Sequence, residues 1–290
     1  MSPKTVFITG CGLYGIGSAL ATEFHMLGHR VIASDVIPPT HLQSLGIEIT
    51  VLDVTSQDSI EKAVSHVSRF TEGKLDVLVN NAGILHIMPF AHTSLAAAHR
   101  VLDVNVIGVF AVTQAFLPLL TAAAVAARKN GDGSNSETAL VANIGSVNAE
   151  LKPAFFSIYN ASKAALDVLG GTIRPELAPL GIRVVTVKTG GVETGLFANA
   201  APTELPEDSP YQPMREYIEG REMLKQVNYI LPEAYATKVV NELLKRTVKP
   251  VIWHGPTSTI AWILSWFGWE GMTDIIYIKG SPLYKCAINL

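Results

Sequence analysis

Short apolar runs alternate with longer stretches of helical period along this chain, and that alternation dictates its architecture. Seven runs read as strands: 5–10 (TVFITG), 30–35 (RVIASD), 47–54 (IEITVLDV), 75–81 (LDVLVNN), 139–146 (ALVANIGS), 182–190 (IRVVTVKTG) and 249–253 (KPVIW). They are short, mainly apolar runs, the pattern of strands covered on both faces, as in a parallel sheet between two helical layers. Helical stretches fill the gaps at 16–28, 57–71, 93–120, 157–178 and 232–246. The prediction is an α/β fold: one doubly wound, seven-stranded parallel sheet.

Two segments stand outside the alternation. Residues 127–139 (ARKNGDGSNSETA) read as a mobile polar surface loop. Residues 191–230 contain Pro202, Pro206, Pro210 and Pro213 with short helical pieces between them. An insertion of that length in a compact domain reads as a lid or binding loop.

Composition excludes several function classes. At 48% hydrophobic residues and a mean hydropathy of +0.30, the chain has a deep core plus apolar surface for a partner, ligand or membrane to cover. A net charge of −3 provides no electrostatic footprint for nucleic acid. The two cysteines, Cys11 and Cys286, lie far apart without metal-ligand spacing and suggest neither a zinc site nor an oxidising compartment. The chain enters its first strand without a charged-then-apolar leader, so a cytoplasmic protein is expected, with membrane association as the alternative. All four tryptophans lie at or beyond Trp253, and Trp262, Trp266 and Trp269 recur at helical spacing. Their run, 259–269, is too short to span a bilayer. It reads as a helix packed on the core or a second subunit, or lying on a membrane surface.

The segment 8–20 (ITGCGLYGIGSAL) holds two overlapping glycine patterns. Gly10, Gly12 and Gly15 spell G-x-G-x-x-G, whereas Thr9-Gly10 with Gly15-Ile16-Gly17 is a different phosphate loop carrying one extra residue. Either way, glycines that end a strand and open a helix aim backbone N–H groups of Gly12, Leu13, Tyr14, Gly15 and Ile16 at a pyrophosphate. Asp35 ends the second strand, where a carboxylate accepts hydrogen bonds from both adenosine ribose hydroxyls. No Arg or Lys follows in 36–41, so NAD is expected rather than NADP. Asp53 and Val54 end the third strand beside the adenine. Asn81, Ala82 and Gly83 close the fourth strand in a small-residue turn suited to the adenine ribose. The domain assignment is 1–255 for dinucleotide binding and catalysis, with the lid at 191–230, and 256–290 for an aromatic-rich appendage.

Residues 159–163 (YNASK) begin a helix, with Tyr159 and Lys163 one turn apart on the same face. A phenol near its reference pKa of about 10 is a poor base at neutral pH, and a nearby ammonium favours its ionised form. The pair suits proton exchange with an alcohol or carbonyl. Ser146 ends the fifth strand, placed to donate a hydrogen bond to the same oxygen.

Over residues 4–195 the chain resembles the short-chain dehydrogenase/reductase family. The likeness rests on the glycine loop 9–17, NNAG at 80–83, Asn105 within LDVNVIG, Ser146 within NIGSVNA and YNASK at 159–163. The resemblance implies a Rossmann-type fold and a Ser146–Tyr159–Lys163–Asn105 tetrad. Tyr159 would be the acid/base, Lys163 would bind the nicotinamide ribose, Ser146 would orient the substrate oxygen and Asn105 would hold a water of the proton relay. It also selects the T-G-x-x-x-G-x-G reading of the loop. Thr189-Gly190 replaces the family's Pro-Gly, with Val192 and Thr194 still able to meet the carboxamide.

The extra loop residue and the aromatic tail resemble the fungal 1-acyl-dihydroxyacetone-phosphate reductases, which use NADPH. Acidic residues dominate 204–222, which disfavours a phosphorylated substrate. Phe155, Phe156, Leu196, Phe197, Tyr211 and Tyr217 fit a bulky apolar alcohol or ketone instead, such as a lipid or secondary metabolite. Two alternatives stay open: an NADPH-dependent lipid reductase at a membrane surface, and a non-redox cyclase or isomerase on the same scaffold. The helices at 93–120 and 157–178 imply a homodimer or homotetramer. No metal is expected.

Overall fold

The computed structural model describes residues 2–130, 139–200, 202–269 and 271–286; most of the polar loop expected at 127–139 lies outside them. The chain opens with β1 (Thr5–Thr9), α1 (Ile16–Met26), β2 (Arg30–Asp35), α2 (Thr40–Gln43), β3 (Glu48–Val51) and α3 (Gln57–Thr71). Next come β4 (Val77–Asn80), α4 (Leu95–Leu102), α5 (Gly108–Asn130), β5 (Ala139–Ile144), α6 (Asn148–Leu151), α7 (Ser157–Leu177) and β6 (Ile182–Thr189). After β6 lie the one-turn helices α8 (Leu196–Asn199), α9 (Arg215–Glu219) and α10 (Glu222–Lys225). The chain ends with α11 (Pro232–Leu243), β7 (Val251–His254), α12 (Ser258–Phe267) and α13 (Met272–Gly280).

All seven expected strands form one parallel sheet in the order β3-β2-β1-β4-β5-β6-β7. The chain winds outward from β1 in one direction, then crosses over and winds outward from β4 in the other. The crevice beyond the carboxyl ends of β1 and β4 is therefore the topological switch point, where such sheets bind ligands.

The period of two in β1 shows how the sheet is covered. Val6 and Ile8 face one layer, with Leu20 and Phe24 of α1 and Tyr235, Val239 and Val240 of α11. Phe7 faces the other, stacking on Phe116 of α5 at 4.6 Å between ring centroids, beside Ile60 and Val67 of α3. Burial of several such side chains, each contributing roughly 1.5–3 kcal/mol, holds both layers to the sheet.

The stretch expected as a single helix at 93–120 is three pieces. Ser94 caps α4 by accepting from the Ala97 N–H at 3.1 Å. Asp103–Ile107 then forms a π-helical turn before α5 begins. A π turn carries an extra residue, and here it turns Asn105 into the interior. At the far end α5 runs on to Asn130, because its last residues, AVAARKN, are mostly good helix formers. The combined run Leu95–Lys129 is long and apolar enough to cross a membrane by length and composition. It is a core helix here: Val112, Phe116 and Leu120 are fully buried against the sheet.

Residues 191–230 leave the sheet and pack over its carboxyl edge. Leu205, Met214 and Ile218 join Leu85, Ile87, Phe155, Phe156 and Tyr159 in a third apolar cluster, against which Leu283 and Cys286 also pack. The outer face of α12 is open: Trp266 is 72% exposed and Phe267 77%.

Candidate active site

A cleft of about 1120 Å³ runs along the carboxyl edge of the sheet. One end is walled by the glycine loop, Asp35, Asp53 and Val54, the middle by Asn81–Leu85 and Ser146, and the far end by Tyr159, Lys163 and residues 189–197. Tyr277 and Ser281, near the carboxyl terminus, complete the rim.

The glycine loop resolves the two overlapping patterns. Gly10 has a φ of +72°, and a Cβ there would lie 2.6 Å from the Ala82 Cα. Gly17 opens α1 so close to Gly10 that a Cβ would lie 2.9 Å from that residue's carbonyl carbon and 2.6 Å from the Asn81 Nδ2. At Gly12 the nearest atom to a Cβ would be the Asp35 Oδ2, at 3.4 Å. The extra residue is absorbed as a tight turn in which the Gly15 N–H donates to the Gly12 carbonyl at 3.0 Å and Tyr14 takes a φ of +57°. Leu13 and Tyr14 stand exposed at its tip. Ser18 Oγ donates to the Cys11 and Gly12 carbonyls at 2.7 and 2.8 Å and pairs with His41 Nε2 at 2.9 Å.

Asn81 lines the cleft but also braces the loop, donating from Nδ2 to the Thr9 and Gly10 carbonyls at 2.9 and 2.7 Å. Thr9 Oγ1 accepts in return from the backbone N–H groups of Asn81 and Ala82, both at 3.0 Å. The Asp35 carboxylate accepts from the Val36 N–H at 2.7 Å; burial raises its pKa, while backbone donors, Gly12 among them, act against that. Asp53 accepts from the Thr55 N–H and hydroxyl at 2.9 and 2.7 Å, leaving its second oxygen for the cleft. Val54 presses on Gly108, fixing the start of α5.

The four tetrad candidates converge. Ser146 hydrogen-bonds the Tyr159 phenol, which favours ionisation, yet full burial outweighs this and pushes the phenol up to about 12. The Lys163 ammonium donates to the Ile144 carbonyl at 3.0 Å and lies 5.7 Å from the Tyr159 ring centroid. Burial pulls it down to about 8, against the attraction of Asp167. Gly83 brings the backbone close enough that a Cβ would sit 3.7 Å from the Lys163 Nζ and 3.3 Å from the Asn105 Oδ1. Both N–H donors of the Asn105 amide are engaged: Nδ2 donates to the Ile84 carbonyl and to Ser162 Oγ, while Oδ1 accepts from the Ile84 N–H at 2.8 Å. It thereby ties the β4 loop to α7.

The departure at Thr189-Gly190 has a structural basis. Thr189 Oγ1 and the fully buried Tyr235 hydroxyl share a hydrogen bond of 2.6 Å, which pins the end of β6 to α11. Val192 forms an isolated bridge to Ile230, and the Thr194 hydroxyl accepts from the Leu196 N–H. Thr189 lines the cleft and was not foreseen as a site residue from the sequence, since its partner Tyr235 lies on α11. Gly17 was legible in the loop pattern.

The residues present fit a nicotinamide dinucleotide. Backbone N–H groups at the start of α1 have no Cβ in front of them at Gly12 or Gly15, an acidic side chain ends β2, and a phenol–ammonium pair occupies the far end. Comparison with known proteins agrees. The profile of the short chain dehydrogenase family matches residues 4–205. The short-chain dehydrogenase fogD of Aspergillus ruber is 35% identical over 98% of this chain and 96% of its own length. The short-chain dehydrogenase cctT of Talaromyces islandicus is 39% identical over 91% and 90%. Among solved structures, a short-chain dehydrogenase from Streptomyces avermitilis superposes with a TM-score of 0.73 at 25% identity, covering 98% of this chain and 97% of that one. A 3-ketoacyl-(acyl-carrier-protein) reductase from Brucella melitensis complexed with NADH shares the fold, with a TM-score of 0.68 at 23% identity over 86% and 95%. This chain belongs to the short-chain dehydrogenase family, oxidoreductases that act on CH–OH groups with a nicotinamide cofactor.

Proposed function

We propose that this protein transfers a hydride between NAD and a bulky, apolar secondary alcohol or ketone, with Tyr159 as the general acid/base. The observation that carries this reading is the position of Tyr159. Its ring belongs to the apolar cluster formed with Leu85, Phe155, Phe156, Leu205, Met214 and Ile218, while its hydroxyl bonds Ser146 on the cleft wall. A substrate oxygen meeting that hydroxyl places its carbon skeleton against the apolar wall.

The bound nicotinamide supplies the hydride acceptor or donor and, when oxidised, a positive charge. In the oxidation direction the Tyr159 phenolate takes the proton of the substrate hydroxyl while Ser146 donates a hydrogen bond to the same oxygen. A protonated Lys163, 5.7 Å from the Tyr159 ring centroid, would favour the phenolate against the burial that opposes it. In the reduction direction Tyr159 returns the proton to the carbonyl oxygen.

Two features favour an unphosphorylated substrate. Arg215 is spent on Glu219, Gln212 and the Leu205 carbonyl. Arg221 donates to the Phe197 and Ala200 carbonyls at 2.5 and 3.0 Å. Neither guanidinium of the 191–230 segment is aimed at the cleft as a phosphate clamp would be. For the cofactor, the Asp35 carboxylate favours NAD, because it repels a ribose 2′-phosphate.

The test is Tyr159→Phe assayed against a panel of bulky alcohols and ketones at the reduced-nicotinamide absorbance. Loss of an acid/base of this kind lowers turnover by ~10²-fold or more, with NADH affinity within a few-fold of the wild type. Retained turnover refutes the assignment.

A further inference from the structure

Behind the Tyr159–Lys163 pair lies a second set of buried charges. Lys188, on β6, is 7% exposed at its side chain and reaches two carboxylates at once. Its Nζ contacts Glu150 Oε1 of α6 at 2.8 Å and pairs with Asp167 Oδ2 of α7. The Trp253 ring lies under the same ammonium at 5.4 Å. Such a cation costs several kcal/mol to bury unless it is paired, so the two carboxylates are a requirement of folding.

The position of Asp167 turns this cluster toward the site. It is one helical turn beyond Lys163 on α7, on the same face. Its second oxygen, Oδ1, is buried with no hydrogen-bond partner among the described residues. That oxygen lies against Gly145, where a Cβ would approach it to 3.2 Å. Gly145 follows Ile144, whose carbonyl accepts the Lys163 ammonium. Lys188 thus holds a half-satisfied carboxylate one helical turn along α7 from Lys163.

Resting on the proposed role of Tyr159 and Lys163, we propose that Asp167, kept ionised by Lys188, is a positioning residue that holds Lys163 protonated and so fixes the pH range over which the phenol works. The groups that face Lys163 are Tyr159 and Asp167 from its own helix, the Ile144 carbonyl and Ser146 from the end of β5, and the backbone of Gly83 with the neutral Asn105 amide beside it. Among the described residues Asp167 is the carboxylate that acts on the ammonium, and its charge raises the lysine's pKa against burial. Lys188 in turn lowers the pKa of Asp167, against burial and against Glu150. The four charges, two of each sign, are balanced.

Selective ¹³Cε-lysine labelling tests this without substrate or cofactor. The Lys163 resonance, assigned by its loss in Lys163→Arg, is titrated in the wild type, Asp167→Asn, Lys188→Met and the double variant Asp167→Asn/Lys188→Met. Losing the opposite charge one helical turn away lowers the Lys163 midpoint in Asp167→Asn, by about one pH unit. Lys188→Met takes away the charge that keeps Asp167 ionised, so the midpoint falls there as well. The double variant lacks both charges, so its midpoint lies below that of the wild type and above that of Asp167→Asn, and it covers the case in which Asp167→Asn alone does not fold. A purely structural role for Asp167 leaves the Lys163 midpoint unmoved in every folded variant and overturns the proposal. That outcome leaves the Tyr159 reading standing, since only retained turnover of Tyr159→Phe removes it.

Discussion

The two glycine patterns in 8–20 differ over Gly12 and Gly17, and adding one methyl group at each position separates them. At Gly17 an alanine Cβ would lie 2.9 Å from the Gly10 carbonyl carbon and 2.6 Å from the Asn81 Nδ2. Both neighbours are fixed: Asn81 is held by two carbonyls, and Gly10 is packed against Ala82. Forcing a methyl into such a site costs about 3 kcal/mol, the upper part of the range for overpacking. Alanine in the first turn of a helix returns up to about 1 kcal/mol relative to glycine. The net loss for Gly17→Ala is then roughly 2 kcal/mol, which for a chain of this size lowers Tm by about 4–8 °C. At Gly12 the nearest atom is a carboxylate oxygen at 3.4 Å, an ordinary contact, so Gly12→Ala stays within about 0.5 kcal/mol. Thermal melts with and without NADH, together with calorimetric titration of NADH, read both quantities. The strand-to-helix junction also positions the N–H groups proposed to bind the pyrophosphate, so on that reading Gly17→Ala weakens NADH by at least ~10-fold, as expected when a donor cradle is displaced. A larger loss of stability or affinity in Gly12→Ala than in Gly17→Ala refutes the reasoning and restores the G-x-G-x-x-G reading.

Two further outcomes follow from the same geometry. Asp35→Ala weakens NADH by roughly 10-fold, the scale of a lost hydrogen bond to a charged group, while NADPH affinity stays or rises; an unchanged NADH/NADPH ratio in parallel titrations removes Asp35 from cofactor choice. Tyr235→Phe breaks the buried contact with Thr189 at a cost of about 1 kcal/mol, lowering Tm by roughly 2–4 °C, and the loosened 189–194 loop raises the KM for the nicotinamide with little change in kcat. A melt and kinetics matching the wild type dismiss that bond as a support for the loop.

Much of this molecule was visible in the order of its residues. The sheet was legible because strands covered on both faces are dominated by Val, Ile, Leu and Phe, as in Thr5–Thr9 or Val77–Asn80. Tyr159, Lys163 and Ser146 were legible because a helical turn and a strand end bring them together with little help from the rest of the chain. The π turn at Asp103–Ile107 was not: one extra residue inside an apolar helix leaves no mark on hydropathy, although it is what turns Asn105 inward. Nor was Lys188. A lysine in a strand reads as an edge residue until its partners, 38 and 21 positions away, are placed beside it. Thr189 was noticed as a departure from a pattern, but its reason lies in Tyr235, on a helix 46 residues further along.

The walls of the cleft draw on residues from Gly10 to Ser281, almost the whole length of the chain. A polypeptide truncated after β7 would keep every residue of the sheet and of the tetrad candidates while lacking Thr257, Tyr277, Gly280 and Ser281 from the cleft wall. One cleft thus ties the first glycine turn to residues about 270 positions further along the chain.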